Sequence, residues 1–127
     1  MTWVPIAVGV GAVLGALGRY YASLFWARRC GHEFPYGTLF VNLLGAFAIG
    51  FLSIALSASE ISTTVQKLMI VGFLGSFTTF SSYILDSANL FQRQALTRGF
   101  FYWLGSPVLG FICVELGLLC GKALLGR

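Results

Sequence analysis

The most unusual stretch of this chain runs from residue 72 to residue 83 and combines glycine with hydroxyl side chains in an apolar setting. It contains Gly72, Gly75, five serine or threonine hydroxyls and the phenol of Tyr83. Because a helix in lipid satisfies its backbone groups internally, a polar interruption is tolerated only where it is buried in protein or lines a wet cavity. Broken helices build ion sites in membranes, since unwound carbonyls and half-helix ends face the ion. The stretch therefore predicts an ion site.

An aromatic pair within this stretch suggests which ion. Phe80 and Tyr83 are three residues apart, so both rings lie on one face of a helix. An aromatic ring has a negative face and a positive edge. Ring edges along a narrow path would attract a small anion without the fixed charge that would bind it too tightly. Core packing is the competing interpretation, and the two residues alone favour it.

Two more polar residues lie inside apolar segments. Asn42 follows Thr38 by four residues on the same helical face, and its amide offers two donors and an acceptor. It would either face an ion path or make a hydrogen bond between helices. Arg19 would either attract anions into an aqueous vestibule or extend past the neighbouring tyrosines to the membrane interface. The residues themselves leave both choices open.

The composition is that of an integral membrane protein. Of the 127 residues, 57% are hydrophobic and 9% are charged, whereas soluble domains have about 25% charged residues. A membrane-spanning helix needs about 20 apolar residues. Four spans are predicted, at residues 3–26, 37–57, 68–91 and 100–124, with the third broken in mid-membrane. The predicted fold is all-α, a single transmembrane domain over residues 1–127.

Glycines and charges indicate how these spans assemble. Gly11, Gly15 and Gly18 lie close to one face of the first span and predict close contact with another helix. The net charge of +4 lies mostly in the loops, as topology requires, and does not indicate nucleic-acid binding. Three cysteines, two of them in an apolar span, indicate neither a disulfide framework nor a metal site.

The loop charges are nearly balanced across the membrane. The side with both termini holds Lys67, Lys122, Arg127 and the amino terminus, and the other side holds Arg28, Arg29, Arg93 and Arg98. Since lysine and arginine bias sets orientation, the chain could insert both ways up and pair as an antiparallel dimer. The alternative is an orientation set by something else. Four helices cannot enclose a water-filled pore and pack their own core, so an ion path would run between subunits.

Three motifs together resemble the Fluc (CrcB) family of fluoride channels. They are Gly-Arg-Tyr at 18–20, the segment 37–45 around Asn42, and the segment 72–83. The resemblance covers the whole chain in length, spans, motif order and spacing. It implies an antiparallel, dual-topology homodimer with two pores in the lipid of the bacterial inner membrane. Such a channel exports cytoplasmic fluoride passively.

The resemblance also implies roles for particular residues. Backbone carbonyls of Gly75 and Thr78 from both subunits would hold a central structural sodium ion. Phe80 and Tyr83 would form an aromatic box whose edges meet fluoride, and Asn42 would be a pore-facing amide. The implied anion pore comprises Arg19, Asn42, Phe80, Ser82, Tyr83, Tyr102 and Ser106.

The chain departs from the family pattern at two places. Tyr83 stands where the family usually has phenylalanine. Steps of four residues from Ser106 reach Gly110 and Val114, which lack the hydroxyls that the family often has there. We expect the Tyr83 hydroxyl to replace part of this missing polar path.

Two other functions remain open at this point. A small four-helix, proton-coupled exporter would need a titratable carboxylate, and only Glu115 lies near the middle of a span, either protonated or paired with Lys122. The missing hydroxyls also fit a non-conducting subunit of a heterodimeric channel. An enzyme is not expected, because no base accompanies the Ser, Thr or Cys residues in a recognisable arrangement.

Overall fold

The computed structural model describes residues 2–126 as a helical protein with four candidate membrane spans. The elements are α1 (Trp3–Cys30), α2 (Tyr36–Ser57), α3 (Thr63–Lys67), a π-helical segment (Leu68–Leu74), α4 (Gly75–Phe77), α5 (Phe80–Gln92) and α6 (Leu96–Leu125). The elements from α3 to α5 together form the third span.

The helices extend beyond the predicted spans at several ends. The first continues from residue 26 to Cys30, with two arginines in its last turn. Basic side chains at this position stabilise a helix, because its C-terminal end carries partial negative charge. The third begins at Thr63 rather than 68 because Ser62 caps it, accepting a hydrogen bond from the N–H of Val65. Hydropathy predicts the apolar part of a span and does not report such polar end turns, so the helices are longer than the predicted spans.

Close backbone contact joins α1 to the third span at Gly11 and Gly15, two of the three glycines predicted to make it, whereas Gly18 faces only the side chain of Phe77. A Cβ atom added at Gly11 would meet the carbonyl oxygen of Leu68, and one at Gly15 would meet that of Phe73. The hydroxyl of Ser76 donates to the carbonyl oxygen of Ala12 at 2.8 Å. Small residues therefore let two backbones touch, which is how helices associate without a hydrophobic driving force.

A second glycine contact joins α2 to α6. A Cβ atom at Gly50 would meet the carbonyl oxygen of Val114, and one at Gly117 would meet that of Phe47. Large apolar side chains such as Leu14, Leu85 and Phe111 are exposed on the outside of the bundle. The chain thus packs as two tight helix pairs with apolar outer faces.

The third span is interrupted at Thr78 and Thr79. Both residues are extended, with φ and ψ of −81° and 157° at Thr78 and −151° and 117° at Thr79. Thr79 then caps α5, because its hydroxyl oxygen accepts a hydrogen bond from the N–H of Ser82 at 3.2 Å. The sequence predicted a break between residues 72 and 83, and the structure has it at this threonine pair.

Candidate functional site

The break is held open by a side chain from α2. The amide nitrogen of Asn42 donates to the carbonyl oxygen of Thr79 at 3.0 Å, and the N–H of Thr79 donates to Oδ1 of Asn42 at 2.7 Å. The Asn42 amide thus replaces the helical partners of an extended residue that is buried. This is the hydrogen bond between helices that was one of the two interpretations of Asn42.

The same pairing frees a backbone carbonyl in the short helix before the break. In a continuous helix the N–H of Thr79 would bind the carbonyl oxygen of Gly75, four residues earlier. Here that N–H binds Asn42 instead. The carbonyl oxygen of Gly75 is therefore left without its helical donor, and Thr78 follows in an extended conformation. Carbonyls of this kind are the oxygen ligands that hard cations take in proteins.

Phe80 and Tyr83 form the aromatic pair at the start of α5. Their ring centroids are 5.8 Å apart and the ring planes are inclined at 48°. Phe80 is 75% exposed, whereas Tyr83 is 8% exposed and packs against Tyr102, with 5.5 Å between ring centroids. The two rings are therefore neighbours, but the Phe80 ring is largely free of contacts within the chain, whereas the Tyr83 ring is packed on most sides.

An open groove of about 420 Å³ runs beside the break. Its walls come from α2, the third span and α6, so it collects residues distant in sequence. Six of the residues singled out in the sequence line it: Asn42, Gly75, Thr78, Phe80, Tyr83 and Ser106. Apart from them the lining is largely apolar, with residues such as Ile49, Leu74 and Val114. The groove is thus a largely apolar surface that carries a few neutral polar groups.

Ser106 contributes a hydroxyl to this wall that is not used within the chain. Its Oγ atom is buried and has no hydrogen-bond partner in residues 2–126. A buried hydroxyl without a partner is costly and uncommon in folded proteins. An atom of this kind, in the wall of a groove, is available to a ligand.

Three predicted site residues do not line this groove. Arg19 is half-buried on α1. Ser82 lies within hydrogen-bonding distance of the Thr79 hydroxyl, 3.2 Å away, in the cap of α5. Tyr102 is 2% exposed, and its hydroxyl donates to a carboxylate oxygen of Asp86 at 3.4 Å. Among residues 2–126 the structure does not bring these side chains together with Phe80.

The hydroxyl of Tyr83 has a partner that the sequence analysis did not anticipate. It donates to the backbone carbonyl oxygen of Trp103 in α6. Pro107 lies four residues after Trp103 and also lines the groove. The sequence did contain a signal for this contact, since a proline inside a helix leaves the carbonyl four residues earlier without its N–H donor.

Glu115 does not pair with Lys122. The ion pair found in the described part of the chain joins Arg98 to Glu33 at 3.2 Å, and both side chains are exposed. Glu115 is itself exposed on α6 and does not line the groove. The carboxylate that a proton-coupled exporter would need is therefore away from the polar groups at the break.

Comparison with known proteins places these features in a family context. Residues 6–118 match the family described as CrcB-like protein, Camphor Resistance (CrcB). The chain is 50% identical over 126 residues to the fluoride-specific ion channel FluC of Trichormus variabilis, covering 94% of this chain and 92% of that one. It is 48% identical to the channel of the same name from a Synechococcus species, with the same two coverages. A Synechocystis channel of that name is 40% identical, covering 94% and 93%.

Proposed function

Since this chain belongs to the CrcB family of fluoride channels, we propose that it carries fluoride passively along a path between two antiparallel copies of itself. It is a multi-pass membrane protein of the bacterial inner-membrane type, and it is an ion channel and not an enzyme. The finer parts of the proposal are the groove as the anion path, the antiparallel pairing and a sodium ion at the break.

The groove beside the break is the observation that carries the proposal. An exposed ring at Phe80 and an unpartnered hydroxyl at Ser106 share one wall. The Asn42 amide has two N–H groups, and one of them remains after the bond to Thr79. These neutral donors and ring edges attract an anion, and they lack the fixed charge that would hold it too strongly for conduction.

The antiparallel pairing is supported by the open side of the groove and by the charges. One chain supplies one set of walls, and its outer faces carry large apolar side chains. A second copy would cover the open side of the groove, and its own groove would be covered in return, which gives two paths. Because the basic residues are nearly balanced between the two loop sides, copies of this chain would insert into the membrane in both orientations.

A sodium ion at the break fits the groups that this chain presents. The Gly75 carbonyl lacks its helical donor, and a Cβ atom added at Gly75 would have no neighbour closer than 3.8 Å, so the backbone there is open to approach. Carbonyl oxygens of Gly75 and Thr78 would hold the ion. When bound, sodium would supply a positive charge that attracts the carbonyl oxygens of both copies and so holds their two breaks together.

The test is fluoride efflux from liposomes that contain the purified chain, measured with a fluoride electrode. We expect rapid efflux of fluoride and little efflux of chloride. Phe80→Leu should lower the fluoride efflux, because it removes an aromatic edge from the groove. Phe111→Leu is the matched control, since Phe111 is similarly exposed but does not line the groove. No fluoride efflux, or equal efflux of chloride, would contradict the proposal.

A further inference from the structure

Pro107 leaves a backbone acceptor free inside the membrane. In an α-helix the carbonyl of residue 103 receives its hydrogen bond from the N–H of residue 107. Pro107 lies within α6 and has no N–H. The carbonyl of Trp103 therefore needs a donor from elsewhere, and in membrane helices such groups are satisfied by neighbouring helices or side chains.

The hydroxyl of Tyr83 supplies that donor from α5. It donates to the Trp103 carbonyl oxygen, and Tyr83 and Pro107 both line the groove. The Tyr83 ring is thus fixed at two points, by its own backbone in α5 and by the backbone of α6. The contact also covers a carbonyl oxygen whose partial negative charge would otherwise act beside the proposed anion path. The hydroxyl proton of Tyr83 is used in the bond to Trp103 and is not available to an anion.

We propose that Tyr83 and Pro107 are a coupled positioning pair in the pore. Pro107 creates the acceptor, and the Tyr83 hydroxyl both anchors its ring along the groove and masks that acceptor from the anion. This inference rests on the proposed function, because it takes the groove as the fluoride path. It replaces the expectation that the Tyr83 hydroxyl acts directly on fluoride as part of a polar path.

The coupling is tested with four proteins: the wild type, Tyr83→Phe, Pro107→Ala and the double variant. Tyr83→Phe leaves the Trp103 carbonyl bare, and fluoride flux should fall roughly threefold to twentyfold, the range that corresponds to one hydrogen bond between membrane helices. Pro107→Ala restores the helical donor, and its flux is the reference against which the double variant is compared. In the double variant the carbonyl is again satisfied within α6, so flux should return to the Pro107→Ala value.

The half-saturating fluoride concentration separates positioning from general destabilisation. It should rise in Tyr83→Phe, because a bare carbonyl repels the anion, and should fall back in the double variant. Tyr21→Phe and Pro5→Ala are the matched controls. Tyr21 is exposed on α1, and Pro5 lies in the first turn of α1, where an N–H has no acceptor within the helix. Neither should change flux.

Two results would overturn the inference. A double variant as impaired as Tyr83→Phe would mean that the hydroxyl acts on fluoride itself, and an unimpaired Tyr83→Phe would mean that the contact has no role. If Tyr83→Phe does not fold, recovery of a folded dimer in the double variant tests the same coupling. Wild-type protein without fluoride flux would instead contradict the proposed function, and the coupling would still be measurable from the thermal stabilities of the four proteins.

Discussion

The side-chain amide of Asn42 makes two hydrogen bonds to the backbone of Thr79. Its nitrogen donates to the Thr79 carbonyl at 3.0 Å, and its oxygen accepts from the Thr79 N–H at 2.7 Å. The two residues are 37 positions apart in sequence. A side chain of α2 therefore supplies the hydrogen bonds that a continuous helix would make at Thr79, within the extended part of the third span. The break is a specified structure with its own hydrogen bonds.

Replacing Asn42 with alanine should impair both the fold and the flux. Two hydrogen bonds are lost, each worth about 0.6 kcal/mol on average between membrane helices, and the buried peptide of Thr79 is left unsatisfied. We expect lower thermal stability of the detergent-solubilised protein and much lower fluoride efflux. Asn89→Ala is the control, because the Asn89 side chain makes no hydrogen bond within residues 2–126. Efflux unchanged in the Asn42 variant would show that the break does not depend on this pair.

Two glycines of α1 should respond differently to the same methyl group. A Cβ atom at Gly15 would collide with the Phe73 carbonyl and the Ser76 hydroxyl, whereas one at Gly9 meets nothing within 4 Å. Gly15→Ala should therefore destabilise the protein by about 1–3 kcal/mol, the usual cost of overpacking. Gly9→Ala should have little effect or raise helix stability. Thermal unfolding in detergent measures both, and equal stabilities would contradict the close contact.

Ser106→Ala should separate conduction from stability. The Ser106 hydroxyl is buried without a partner in the described residues, so its removal costs no internal hydrogen bond and relieves an unfavourable burial. We expect fluoride efflux to fall while thermal stability is unchanged or higher. Ser57→Ala, at an exposed hydroxyl that bonds its own helix, is the control. A parallel loss of stability and flux would assign Ser106 a structural role.

Labelling of Cys30 should report the orientation of the chain. Cys30 is exposed at the end of α1, and Cys113 and Cys120 are replaced by alanine so that a single thiol remains. With near-balanced loop charges, about half of the chains should react with an impermeant maleimide from each side of the membrane. Adding positive charge beside Cys30, with His32→Lys and Glu33→Lys, should make one orientation predominate. Labelling should then come mainly from one side, and the flux should fall because fewer antiparallel pairs form. Labelling of the parent from one side alone would argue against dual topology.

Removal of sodium should weaken the assembled protein. If carbonyls of Gly75 and Thr78 hold sodium, exchange into N-methylglucamine chloride should lower the thermal stability of the purified protein, since an ion that binds the folded state stabilises it. Adding sodium back should restore the stability, and potassium at the same concentration serves as the ionic-strength control. Identical stability in all three buffers would remove sodium from the proposal.

The sequence predicted the parts of the fold that depend on composition and spacing. Four spans follow from apolar length, and the contact between α1 and the third span follows from glycines that recur at helical spacing. The break follows from polar residues at membrane depth. The ends of the helices did not follow from the predicted spans, because capping groups such as Ser62 set them and hydropathy does not report caps.

The detailed contacts of the site were less accessible from the sequence. The partner of Asn42 lies 37 residues away, and nothing in either segment alone identifies Thr79 as that partner. The contact of Tyr83 was not predicted: Pro107 leaves the carbonyl of residue 103 without its helical donor, but the local sequence does not identify which side chain replaces it. Long-range pairing of polar groups depends on how the helices pack, which periodicity does not determine.

The contact between Tyr83 and Trp103 also constrains the order in which this pore could have evolved. A tyrosine arriving first meets a carbonyl already satisfied by its own helix, so it is nearly neutral. A proline arriving first leaves that carbonyl bare beside the proposed anion path. On the proposed coupling, tyrosine before proline is the less costly order, and later loss of the tyrosine would expose the carbonyl. Related chains with proline at the equivalent of 107 should rarely carry phenylalanine at the equivalent of 83.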